Sequence, residues 1–302
     1  MNLQQMKYLI EIERQGSISK AAQTLFISQP SLSNSIKELE NEMGVTIFLR
    51  TKKGITITDK GHEVLRYAKA IESQLEMLYQ SLEDPRTASF RLSTENYSFC
   101  MRAFAKMCRN GSKYEKLSYS INNHPLSDVI EDVVNCNSDL GILLINTSGL
   151  SLCQKILEAK NLNFVPLCRL PVNVNLREDH PLAQIDPFPF EKLSQYMFVK
   201  YSEEKSAALS YMPELKSLNI INPDKIISVS DRDLKCNIIA ETNAFGIGCT
   251  LHPEFMSHYK IVAIPIPNNY AILGYIYVKN SMLSDESQEF IALLKEELAC
   301  FD

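Results

Sequence analysis

SISKAAQTLFISQPSLSNSIKELENE, residues 17–42, decides how the beginning of this chain folds. Ala21, Ala22 and Leu25 share one helical face. After a break at Phe26–Ser28, Leu32, Ile36, Leu39 and Met43 step by four, three and four, one stripe of a 3.6-residue period. Ser28 is a good N-cap and Pro30 is tolerated only in a first turn, so the second helix is expected to open at about Ser28. Gly44 closes it. Two short helices, a tight turn and a capped second helix predict a helix-turn-helix. Upstream, Leu3, Met6 and Leu9/Ile10 form an amphipathic helix ended by Gly16, and they are expected to complete a three-helix core.

With that stripe inward, Pro30, Asn34, Lys37 and Asn41 lie opposite, flanked by Ser31 and Ser33. Amides, hydroxyls and an ammonium at a helix N-terminus can reach base edges, and the helix dipole favours a phosphate. The same face would also serve as the solvated side of a small hairpin. The next segment, VTIFLRTKKGITIT, alternates at Val45, Ile47 and Leu49 and again at Ile55 and Ile57, around a basic, glycine-containing tip. This predicts a β-hairpin wing whose Arg50, Thr51, Lys52 and Lys53 would lie near a DNA backbone. A solvated, charge-protected turn is the alternative.

Thr58 then caps a long helix, Asp59 to about Leu82. Its apolar positions Val64, Ala68, Ile71, Leu75, Leu78 and Leu82 step by four and three, a heptad seam that calls for a partner helix. Pairing two copies through it would give a homodimer with two DNA readers, assembling further to a homotetramer. Asp84-Pro85 marks a linker.

The 302 residues suffice for two or three domains. A net charge of −5 argues against a chain coated in nucleic acid, although basic residues outnumber acidic ones between Met1 and Arg66. No apolar run reaches a membrane span and the first residues show no signal peptide, so a cytoplasmic protein is expected. The eight cysteines form no Cys-x-x-Cys pair and the five histidines are scattered, so no metal site is expected. No phosphate loop, nucleophile elbow or metal motif supports an enzyme, and no cofactor is implied.

The first eighty residues resemble the LysR-type transcriptional regulators. The resemblance rests on Ser17 and Ser19 before Ala21-Ala22, Leu25, residues 28–33 (SQPSLS), Ile36, Leu39-Glu40, Gly44-Val45, Phe48, Arg50-Thr51, Gly54, Thr58 and Gly61. It implies sequence-specific DNA binding, with Gln29, Pro30 and Ser33 facing the groove and Arg50, Thr51 and Lys53 near the backbone. The family often carries arginine where Asn34 stands, which bears on base preference.

From about Ser89 the pattern becomes α/β. Strands are expected at FRLSTEN, LSYSIN and Asp139–Ile145, with helices through Phe99, Phe104 and Met107 and through Val129–Val134. Alternation of this kind predicts a parallel sheet with crossover helices. NFVPLCRLPVNVNLREDHPLA reads as two strands broken at Pro171. YMFVKY, DKIISVS, a helix Leu234–Glu241, GIGCTL, the strand AILGYIYVKN and a helix Asp285–Leu298 follow. Asp139-Leu140-Gly141, residues 178–182 (EDHPL), Gly246-Ile247-Gly248 and Pro253 resemble the effector domain of the same regulators. That implies two α/β subdomains built like a periplasmic binding protein, I at about 89–165 and 267–302 and II at about 166–266, crossing near Val165–Arg169 and Ile264–Pro267. The domain boundaries expected are therefore 1–58, 59–84 and 89–302.

Ligands in open α/β sheets sit beyond the carboxyl ends of strands. That rule selects Thr94, Asn96, Tyr97, Ser98 and Ser127 on one side, and Lys200, Tyr201, Ser202, Ser230, Gly246 and Gly248 on the other. The resemblance implies a small-molecule effector between the subdomains. Two other functions fit parts of the pattern: a small-molecule receptor whose N-terminal segment serves assembly, and a regulator of the same family that senses oxidation through cysteine.

Overall fold

The computed structural model describes residues 1–51, 54–82, 87–147, 149–202, 225–249 and 253–299. The side chains of residues 50, 51, 74, 76, 77 and 80–82 are outside this description, as are Lys52, Lys53 and the Asp84-Pro85 linker. Contacts group the chain into two units, Met1–Thr87 with Val134–Asn137, and Ala88–Val133 with Ser138–Asp302.

In the first unit α1 (Leu3–Gln15), α2 (Ile18–Thr24) and α3 (Gln29–Met43) are followed by a hairpin, β1 (Phe48–Thr51) and β2 (Gly54–Ile57), and by α4 (Asp59–Leu82). Asn2 and Gln5 form a reciprocal capping box on α1, Ser17 caps α2 and Ser28 caps α3, so each start is set locally. Met6, Leu9, Ile12, Ala21, Ala22, Leu32, Ile36, Leu39, Ile47, Phe48, Leu65 and Ala68 form one core.

Three expectations are corrected here. Leu3 is 50% exposed, and Ile12 takes a place in the core instead. Met43 is 38% exposed: Gly44, in the left-handed region at φ 68°, turns the chain immediately after it, so the α3 stripe stops at Leu39. The wing strand begins at Phe48 rather than Val45, which puts Phe48 inside and leaves Leu49 exposed. Two side chains fix that start. Glu40 Oε1 of α3 accepts the backbone N–H groups of Ile47 (2.6 Å) and Phe48 (3.1 Å). Thr58 Oγ1 donates to Thr46 O (2.6 Å) and accepts from Gly61 N–H (2.8 Å), capping α4. Gly61 permits this approach, because a Cβ there would stand 2.3 Å from Ile47 O.

The second unit carries an eight-stranded sheet in the order β4-β3-β5-β10-β6-β9-β7-β8. Its strands are β3 (Thr87–Thr94), β4 (Lys116–Asn123), β5 (Leu140–Asn146), β6 (Leu162–Arg177), β7 (Phe198–Tyr201), β8 (Ile226–Val229), β9 (Phe245–Cys249) and β10 (Ile261–Val278). Its helices are α5 (Ser98–Asn110), α6 (Leu126–Val134), α7 (Leu150–Ala159), α8 (Arg232–Glu241), α9 (Pro253–Tyr259) and α10 (Asp285–Leu298).

The sheet is mixed, not parallel as expected. β3 and β5 run parallel, as do β7, β8 and β9, but β10 is antiparallel to both β5 and β6, and β6 to β9. The two long strands β6 and β10 join the parallel halves into one surface. Pro171 does not break β6. It pairs with Tyr270, beside the register shift of β10 between Pro265 and Tyr270, where a missing N–H costs the ladder least.

The registers also locate the middle of this sheet. The carboxyl end of β5 reaches Ala271 (partner of Asn146) and that of β9 reaches Val172 (partner of Cys249). Both ends therefore meet at the Pro171–Tyr270 pair, and every parallel strand of either half points toward it.

Candidate nucleic-acid interface and effector cleft

On the first unit the recognition surface is built from the turn upward. Phe26 takes the left-handed region at φ 54° and is 95% exposed, while Ile27 N–H returns to Ala22 O at 3.0 Å. This reverses the chain, and Ser28 Oγ then accepts Ser31 N–H at 3.2 Å and lies 2.8 Å from Ser31 Oγ. With Leu32, Ile36 and Leu39 buried, Gln29, Pro30, Ser31, Asn34 and Lys37 are exposed on the opening turns of α3 and Ser33 is half-buried. The positive end of the helix dipole thus coincides with amide, hydroxyl and ammonium groups, a combination that suits a polyanion with readable edges. Arg50 and Thr51 end β1, at the hairpin tip expected from sequence.

α4 divides its apolar seam. Leu65 and Ala68 are buried against the three-helix core, and Lys69 Nζ pairs with Glu13 at 2.8 Å, tying α4 to α1. Val64 is partly buried there, whereas Ile71, Leu78 and Tyr79 farther along are exposed. Leu82 lies among the undescribed side chains.

In the second unit α5 starts just past the carboxyl end of β3, and α8 just past that of β8, so both helix N-termini stand at the strand ends that point toward the middle of the sheet. Most of the sequence-selected residues gather here. Thr94 is buried, its hydroxyl donating to Glu95 O at 3.0 Å. Tyr97 is the N-cap of α5 without a side-chain cap bond, and its hydroxyl bonds the Glu95 carboxylate. Ser98 is buried and Asn96 half-buried. Opposite, Tyr201 ends β7 and Ser202 follows it, and Ser230 Oγ lies 3.3 Å from Asp231 Oδ2, while Asp231 Oδ1 accepts Leu234 N–H (2.9 Å) as the α8 cap. Ser127 sits inside the first turn of α6, bonded to Asp128.

Gly246 has a packing task. A Cβ there would meet Lys235 Cε and Ile239 Cδ1, each at 2.8 Å, so the glycine lets α8 lie on β9. Gly248 is less crowded, with Asn175 Nδ2 at 3.8 Å. Lys235, which sequence reasoning missed, is buried, donates to Ile247 O at 2.9 Å and stands 4.6 Å from the Tyr201 ring centre. Burial holds the Tyr201 phenol above its ordinary value. Arg232 was missed as well. Charged residues near a helix start read as solvated, and only tertiary packing shows otherwise.

Arg102 of α5 bonds Glu254 of α9, while its Nε holds Glu297 of α10 at 2.7 Å. Lys106 Nζ reaches the same buried Glu297 at 2.6 Å, and these two cations hold that carboxyl below its usual range despite burial. Burial drives Cys100 up to about 12 and Cys153 to about 11, and raises Cys108 and Cys236 too. Among the described residues no group of three or more His, Cys, Asp or Glu could hold a metal ion.

Residues 3–62 match the model of the bacterial regulatory helix-turn-helix protein, lysR family, and residues 111–299 that of the LysR substrate binding domain. The HTH-type transcriptional regulator CysB of Burkholderia cenocepacia is 26% identical over 239 residues, 78% of this chain and 73% of that protein. A full-length OxyR variant from Pseudomonas aeruginosa matches with TM-score 0.66 at 15% identity, covering 100% of this chain and 96% of that one. Full-length LysG from Corynebacterium glutamicum, solved with bound effector Arg, matches with TM-score 0.68 at 14% identity, covering 99% and 98%. At such identities the structural likeness speaks to the fold.

Proposed function

The chain belongs to the LysR family of bacterial transcriptional regulators, with a helix-turn-helix DNA-binding domain and an effector-binding domain, and from that premise we propose which residues carry out each task. Gln29, Pro30, Ser31, Ser33, Asn34 and Lys37 enter the major groove on the opening turns of α3. Arg50, Thr51, Lys52 and Lys53 follow the neighbouring backbone from the wing. The observation that carries this reading is the exposed polar start of α3 over a stripe closed by Leu32, Ile36 and Leu39.

The head is residues 1–58, the connecting helix 59–84 and the effector domain 89–302. Two copies pair through the far half of α4, whose Ile71 is exposed once Leu65 and Ala68 are used by the head itself. Two such pairs form a homotetramer. A small molecule occupies the cleft between the carboxyl ends of the parallel strands, within reach of Thr94, Asn96, Tyr97, Ser98, Ser127, Lys200, Tyr201, Ser202, Ser230 and Gly248. Gly246 serves packing there. Its binding shifts the angle between the paired heads, a coupling of two sites through one oligomer. The protein acts in the cytoplasm and catalyses no reaction of its own; among the described residues no helix is long and apolar enough to cross a membrane. Oxidation sensing is the weaker reading, because the thiols with a resolved shift are all held protonated by burial.

Gel retardation of the DNA upstream of the protein's own gene tests the proposal. Retardation at low salt that is weakened by Gln29→Ala is the expected result. No retardation, or retardation indifferent to Gln29 and Lys37, would favour a receptor with an N-terminal assembly segment.

A further inference from the structure

Leu25, Phe26 and Ile27 form the turn between α2 and α3, and their side chains divide. Leu25 and Ile27 pack on the core of the first unit, while Phe26 is 95% exposed, the highest value of any large apolar side chain among the described residues. The backbone explains the division. Phe26 takes the left-handed region at φ 54°, Phe26 N–H donates to Gln23 O at 3.2 Å and Ile27 N–H to Ala22 O at 3.0 Å. One left-handed residue between them reverses the chain and lets both neighbours face inward.

The turn needs that backbone but not that side chain. Glycine enters the left-handed region freely, whereas a bulky residue is an outlier there. A benzyl group left in water also gains nothing from burial. Phe26 thus carries two penalties that its own domain does not offset, a strained backbone and an apolar ring held out in solvent. Strain kept at a surface position and exposed apolar bulk are both marks of a contact surface.

The position of the ring in the chain identifies the partner. Gln29, the first residue of α3, comes three residues later, so the two Cα atoms lie within about 11 Å of each other. Ser28, Gln29, Pro30 and Ser31 are all exposed, and Ser28 Oγ fixes the entry into α3 by accepting Ser31 N–H. Two backbone hydrogen bonds and this local cap therefore hold Phe26 beside the turns of α3 assigned to the major groove. At the margin of that groove a duplex offers an apolar ring the C–H face of deoxyribose and the C5-methyl group of thymine.

We propose that Phe26 is a DNA contact, its ring packed against the apolar margin of the major groove where α3 enters. The assignment rests on the reading of α3 as the recognition helix and adds an apolar residue ahead of it. The contact carries no charge, so it contributes affinity without releasing a counterion.

The test is titration of the full chain and its variants with the DNA upstream of the protein's own gene over a range of salt concentrations, together with thermal unfolding in the absence of DNA. Phe26→Ala weakens binding about tenfold and leaves the slope of log affinity against log salt unchanged. Phe26→Tyr keeps the ring and binds like the parent. Phe26→Gly weakens binding as Phe26→Ala does without lowering the unfolding temperature, as a side chain retained for a partner rather than for the fold requires. The same DNA made with deoxyuridine in place of thymidine lacks every thymine methyl group. A smaller loss for Phe26→Ala on that DNA assigns the methyl contact, and an equal loss assigns the deoxyribose. Undiminished affinity in Phe26→Ala and Phe26→Gly overturns the proposal. So does weakening accompanied by a shallower salt slope or, in Phe26→Gly, by a lower unfolding temperature, because the ring would then act by placing α3. Gln29→Ala run alongside separates the two readings: weakened binding there with the Phe26 variants unaffected removes this contact alone, and no effect in either removes the recognition helix as well.

Discussion

The wing's attachment to the recognition helix gives the sharpest quantitative prediction. Glu40 sits on α3 and its carboxylate takes two backbone N–H groups, Ile47 at 2.6 Å and Phe48 at 3.1 Å, where the chain enters β1. Hydrogen bonds to an ionised acceptor each contribute about 1.5–3 kcal/mol net. Glu40 is half-buried and the two bonds share one oxygen, so their sum lies below twice that range, at about 2–3 kcal/mol. Glu40→Ala leaves both amides without their acceptor in a region where Ile47 and Phe48 are buried. The opening of the wing base therefore becomes easier by that amount, and hydrogen exchange of these two amides should speed up about 30- to 150-fold. Amides in α1, fastened by its own capping box, should hardly change. Glu40→Gln keeps a neutral acceptor and should lose about half as much. DNA affinity should fall in the same order, because the wing tip loses its fixed relation to α3. Unchanged exchange at Ile47 and Phe48 in Glu40→Ala would refute the anchoring role. Weakened DNA binding with unchanged exchange would refute the link between anchor and function.

Other predictions follow from single features. Ile71→Asp, on the exposed half of α4, should convert the assembly to smaller species in sedimentation velocity; a profile like the parent's would mean that the seam packs internally. Glu297→Gln breaks a buried carboxylate away from Arg102 and Lys106 and should cost about 3 kcal/mol or more in chemical denaturation. The folded carboxyl is depressed, so its contribution is complete above the unfolded value of about 4.3 and is lost as pH falls through the lower folded one. The stability gap between parent and variant should accordingly shrink below about pH 4, and a gap that widens in acid would contradict the pairing. Gly246→Ala should destabilise the second unit by about 1–3 kcal/mol, since Ile239 and Lys235 fill the space a Cβ needs; a neutral effect on unfolding would show that α8 can lift away freely. Brief treatment with dilute hydrogen peroxide should leave DNA retardation unaltered, and a retardation lost on oxidation and restored by dithiothreitol would revive the redox reading.

The helix-turn-helix is legible in sequence because its signals are local. Ser28, Pro30 and Gly44 set the ends of α3 without reference to any distant residue, and Thr58 does the same for α4. The same locality fails at Met43, where the stripe continues in sequence but the chain has already turned at Gly44. The sheet is illegible for the opposite reason. β6 and β10 pair across about a hundred residues of chain, and only that pairing explains why Pro171 can lie within a strand. Helix α7 is hard to read in the sequence although Leu150, Cys153 and Leu157 step by three and four, a signal too short to stand out beside the strands around it. Of the cleft, the strand-end residues were accessible through topology. Arg232 and Lys235 were not, because nothing in a charged residue's sequence context announces that packing will bury it.

The account's central claim, that the start of α3 reads bases, is tested most directly by quantitative binding of the parent protein and Gln29→Ala to an operator set with every single base pair varied in turn. The account predicts that the variant loses discrimination of about 1–3 kcal/mol at one position in each half-site and keeps it elsewhere. Uniform weakening across all operators, with every preference intact, would contradict it.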